Sequence, residues 1–124
     1  MSNSLTYAAA ALMGATFGLH IYIGQTRVLP ALNATSMDPQ LLTLTLVLWH
    51  AVSVTLAVFA VGLWHLSSHP NPALEATLAA VQAGFAALFL YYGATRLGTI
   101  WLLPQWVIFL ALPALTRLGQ YRAG

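Results

Sequence analysis

Cysteine is absent from this chain, and so is lysine; of its 124 residues only two are acidic and four are arginine. The missing cysteine excludes disulfides, thiolate metal sites and cysteine nucleophiles. Four scattered arginines supply no basic patch or stripe, so no nucleic-acid footprint is present. Charged residues make up 5% of the chain, where a soluble domain carries about 25%. What replaces them is hydrocarbon: 60% of residues are hydrophobic. The composition excludes a soluble globular domain and fits a single integral membrane domain.

The longest uninterrupted run, residues 40–66, contains no Asp, Glu, Lys or Arg. A hydrocarbon core of ~30 Å needs roughly 20 apolar helical residues, so this run spans with room for tilt. Three further spans are expected at about 5–24, 72–95 and 99–118. The N-terminal stretch lacks the positive region of a cleaved signal peptide and reads as the start of a retained helix. Between the first two spans, Pro30, Asn33, Ser36 and Asp38 read as loop breakers. Asp38 and Pro39 read as the N-cap and first position of the second helix. Ser67 to Pro72 ends that helix abruptly, Glu75 opens the third, and Pro113 is expected to kink the fourth. Short connections then imply an all-α, four-transmembrane-helix up-down bundle made of two hairpins.

Tyr22-Ile23-Gly24-Gln25-Thr26-Arg27 and Tyr91-Tyr92-Gly93-Ala94-Thr95-Arg96 share a Tyr-x-Gly-x-Thr-Arg pattern at the ends of spans one and three. At the same offset Ala10, Gly14 and Gly18 fall on Ala79, Ala83 and Ala87. Such small-residue ridges let another helix approach closely. A parallel repeat and chance matching in an alanine-rich chain both account for the echo. The arginines tie at two on each side of the membrane, and the N-terminal amine with the basic tail tips both termini toward the cytoplasm.

Polar groups inside a span are expensive and call for a reason. His20 lies ~10 Å inside the end of span one, and His50 ~13 Å inside the start of span two. Antiparallel neighbours would hold both at similar depth. Ser53 continues the His50 face, and Tyr91, Tyr92, Gln105 and Trp106 reach the same half of the bilayer from the other hairpin. These seven residues are the ligand-binding candidates. The competing reading gives each histidine a structural hydrogen bond to a neighbouring helix.

No cofactor or metal is expected; His20 and His50 are the only pair able to supply bis-imidazole ligation to a b-type haem. Two histidines without a third ligand make no metal centre. His65 and His69, one turn apart at the membrane edge, read as meeting water. Arg27 and Arg96 are candidates for gripping an oxyanion or, on the competing reading, for anchoring helix ends among lipid headgroups. No Ser/His/Asp set, paired buried carboxylates or Gly-rich phosphate loop appears, so the reading leans away from an enzyme.

His20-x3-Gly24-x2-Arg27 followed by Trp49-His50-x2-Ser53 resembles a group of uncharacterised small bacterial membrane proteins with four predicted spans. The resemblance covers about the first 66 residues, and members often carry an acid where this chain has Gln25. It implies a bacterial inner-membrane location and draws attention to His20, Trp49 and His50 without supplying an activity. The expectation is therefore a small membrane protein acting as an accessory subunit or as a small-ligand binding or carrier protein around His20 and His50. The alternative is a one-haem electron-transfer protein. The lipid bilayer is the first partner, with a second copy or a larger membrane complex as the next.

Overall fold

The computed structural model describes residues 3–123, and helices are its only regular elements, with no strand among those residues. Helix α1 (Ser4–Ile23) starts where Asn3 accepts the amide of Thr6, a side-chain cap that satisfies one of the first turn's orphan donors. It does not stop at residue 24. A π-helical turn (Gly24–Val28) carries it into the short helix α2 (Leu29–Asn33), making one rod of 30 residues.

The expected loop at 25–39 is thus largely helical, and its breakers act only from Ala34 onward. The reason lies in the wide turn. The amide of Leu29 donates to the carbonyl of Gly24, five residues back. That extra residue opens the ladder just ahead of Pro30, whose missing N–H and bulky ring would otherwise break an α-helix.

Helix α3 (Pro39–Ser68) begins as its sequence dictates, with Asp38 accepting from the amides of Gln40 and Leu41 and Pro39 in the first turn. Helix α4 (Pro72–Leu97) repeats the device, Asn71 accepting the amide of Leu74. It ends at Gly98, the one residue among those described with positive φ, 69°, where a side chain would be strained.

The fourth helix differs most from expectation. Helix α5 is Gln105–Ala123, not 99–118. Pro104 biases Leu103 away from the helical region, so the helix starts only after it. Residues 99–100 instead fold back on α4, the amide of Thr99 donating to the carbonyl of Gly93 at 3.2 Å. A Cβ on Gly93 would lie 3.1 Å from the Thr99 carbonyl oxygen, so glycine permits this close return. The supposed basic tail, 117–123, is the last two turns of α5. Among the described residues three helices, Ser4–Asn33, Pro39–Ser68 and Pro72–Leu97, are long and apolar enough to cross a membrane; α5 is not among them.

The hairpin α1/α3 packs on the hairpin α4/α5 chiefly through α1 against α5, with a lighter α3/α4 contact closing the bundle. Met13, Leu56, Leu63 and Leu112 are fully buried at its centre. Ala9 and Ala10 are buried in α1, which packs most extensively on α3, and close packing at small residues is what holds helices together in lipid. Gly18, Ala83 and Ala87 of the two small-residue ridges are exposed and contribute nothing to this core.

Candidate functional site

At the end of the bundle where α1 gives way to the π turn, the indole of Trp49 lies flat on the imidazole of His20. The ring centres are 4.2 Å apart and the planes 15° from parallel. His20 Nε2 also donates to the Trp49 carbonyl, at a long 3.4 Å. Ser53, one turn along α3 and buried, donates its hydroxyl to that carbonyl at 3.3 Å. One backbone oxygen therefore receives both His20 and Ser53. This fixes the imidazole from α1 against the middle of α3.

Gly24 makes the arrangement possible. A Cβ there would sit 2.6 Å from Trp49 Nε1 and 3.0 Å from two further indole carbons. The indole uses the space a side chain would occupy. The π turn starts at this same glycine.

Beside the His20–Trp49 stack the two hairpins leave a cavity of about 370 Å³, within the size range of ligand sites. Its walls come from α1, α3, α4, α5 and the segment before α5. They are apolar except for Thr16, His20, the Trp49 indole and Gln105. Leu56, Phe89, Leu103 and Phe109 are among the residues completing them. No Arg, Asp or Glu lines it. The exposed Leu19 and Ile23 form part of its rim, on the side that faces lipid if α1 spans a membrane.

Of the seven ligand-binding candidates, the structure brings His20 and Gln105 to this cavity, with Ser53 one bond away through the shared carbonyl. Trp106 is half-buried and turns its Nε1 to the Ile100 carbonyl at 3.1 Å, pinning the segment before α5. Tyr91 and Tyr92 are exposed, packed edge to face on each other, and do not line the cavity. His50 is exposed as well and is not among the residues lining the cavity. The two imidazoles do share a depth, since His20 bonds to the backbone of residue 49, yet they address different surroundings. Its neighbour Trp49 takes the place the spacing assigns to His50.

Arg27, in the π turn, and Arg96, in the last turn of α4, are both exposed and line no part of the cavity. Among the described residues no group of three or more His, Cys, Asp or Glu converges. His65 and His69 stack on each other at 4.7 Å and are exposed.

A second polar cluster, at the opposite end, escapes the sequence reading altogether. Gln120 donates to Thr6 Oγ1 at 3.3 Å and to the Leu66 carbonyl at 3.0 Å, and the Asn3 amide donates to the Ser67 carbonyl at 3.0 Å. It ties the start of α1 to the ends of α3 and α5. The nearest signal is Gly119 beside Gln120, a small residue next to an amide late in a chain otherwise read as tail.

Compared with known proteins, the chain matches no family model, no curated protein and no solved structure.

Proposed function

We propose that this is a small integral membrane protein that binds a small, uncharged, lipid-soluble ligand in the cavity beside His20, as a carrier or as the binding subunit of a larger assembly. The observation that carries the reading is the lining: a ligand-sized, mostly apolar space with four polar side chains, Thr16, His20, Trp49 and Gln105, and no formal charge. An ionic ligand there would lack a counter-charge, and burying an unpaired charge costs several kcal/mol. An apolar body with one carbonyl or hydroxyl suits Gln105 and the free nitrogen of His20. The exposed rim at Leu19 and Ile23 favours entry sideways from the bilayer.

In this reading α5 crosses as a fourth span beside α1 and α4, since it packs on both. The resemblance to small bacterial proteins supports a bacterial inner membrane. The outward-facing Gly18, Ala83 and Ala87 suit a second copy or a partner helix. The test is purification in mild detergent, organic extraction and mass spectrometry. One uncharged compound recovered near mole for mole is expected; an extract containing only bulk lipid overturns the reading.

A further inference from the structure

Sharing no lining residue with the His20 cavity, a much smaller space of about 10 Å³ lies between α4 and α5, bounded by Leu63, Glu75, Leu78, Gln82, Pro113 and Thr116. Gln82 is 1% exposed, and its Oε1 is fully buried without a hydrogen-bond partner. Buried amide oxygens are almost always bonded. Thr116 has already committed its hydroxyl proton to the Leu112 carbonyl at 2.9 Å, so its oxygen can only accept. Glu75 contributes a carboxylate, also an acceptor, paired on its outer side with Arg117 at 3.3 Å. Neither Thr116 nor Glu75 therefore offers Gln82 Oε1 a proton, and that oxygen is left wanting a donor.

We propose that the space is a water site, its occupant donating one proton to Gln82 Oε1 and the other to Thr116 Oγ1. A water has two donors, matching the two neutral acceptors, and a space of this size takes one such molecule. A partner helix cannot serve Gln82, because the side chain is sealed from the surface. A sodium ion is a poorer match: the one charged oxygen donor, Glu75, is already neutralised by Arg117.

The test is a water-to-amide magnetisation-transfer measurement on isotope-labelled protein in micelles, observing the Gln82 side-chain amide. A cross-peak from long-lived water is expected in the wild type. It should be lost in Thr116→Val, whose fold is checked by its backbone amide fingerprint. No cross-peak in the wild type, or one that persists undiminished in folded Thr116→Val, overturns the proposal. Gln82→Leu provides a second readout. If the site is dry, removing an unmet acceptor raises the thermal midpoint by about 4 °C or more. If water satisfies Gln82, the midpoint stays level or falls.

Discussion

Gly24 and Trp49 occupy what is in effect one site: the edge of the indole sits where the glycine's Cβ would be, 2.6 Å from Nε1. The stack on His20, the π turn and one wall of the cavity all meet at this contact.

Gly24→Ala is therefore expected to push the indole off His20. The indole meets Gly24 at its edge while its face lies on His20, so it is the group that must shift. Overpacking of this kind costs about 1–3 kcal/mol. Thermal unfolding in detergent reads the loss, and a shift in tryptophan emission reads the displaced ring. An unchanged midpoint and spectrum would show that the indole has room to move.

Gly119→Ala should have a comparable effect at the other end of the molecule. Its Cβ would meet Asn3 Oδ1 at 2.6 Å and Thr6 Oγ1 at 2.7 Å, inside the polar cluster that anchors α1. Amide hydrogen exchange is the discriminating measurement, with protection expected to fall first in the opening turn of α1.

Gln120→Ala removes both side-chain bonds, to Thr6 and to the Leu66 carbonyl. Each net bond contributes about 0.5–1.5 kcal/mol, so a loss of about 1–3 kcal/mol is expected by thermal unfolding. A loss well below this would make the cluster incidental.

Arg117→Ala, close by in sequence, should do little. The arginine is 79% exposed although its partner Glu75 is 11% exposed, so solvent screens most of the attraction. A change below about 1 kcal/mol is expected, shrinking further at high salt. A larger loss would mean that Glu75 depends on its guanidinium partner.

How much of this was legible in the sequence follows from what each residue can signal. Asp38-Pro39 and Asn71-Pro72 announce helix starts by local chemistry alone, and α3 and α4 begin there. Pro30 misleads, because a proline read locally is a stop, whereas a π turn one step earlier accommodates it. Pro104 has the opposite history: placed inside an expected span, it delays α5 until residue 105. The site is harder still. Which of Trp49 and His50 faces inward is a matter of about 100° of rotation. In a helix apolar on every side, no amphipathic pattern sets that angle. His20 and Gln105 could be picked as polar groups within expected spans; their joint cavity depends on how two hairpins meet, which no local spacing encodes.

The most direct test of the central claim is native mass spectrometry of the protein released from mild-detergent micelles, comparing the wild type with Thr16→Phe. Thr16 lines the cavity, and its hydroxyl bonds only to its own helix at Leu12, so a phenyl ring there should fill space without breaking a tertiary bond. The account predicts a single uncharged adduct of constant mass on the wild-type chain and its loss from folded Thr16→Phe. Bare chain in both, or an adduct unaffected by the substitution, would contradict it.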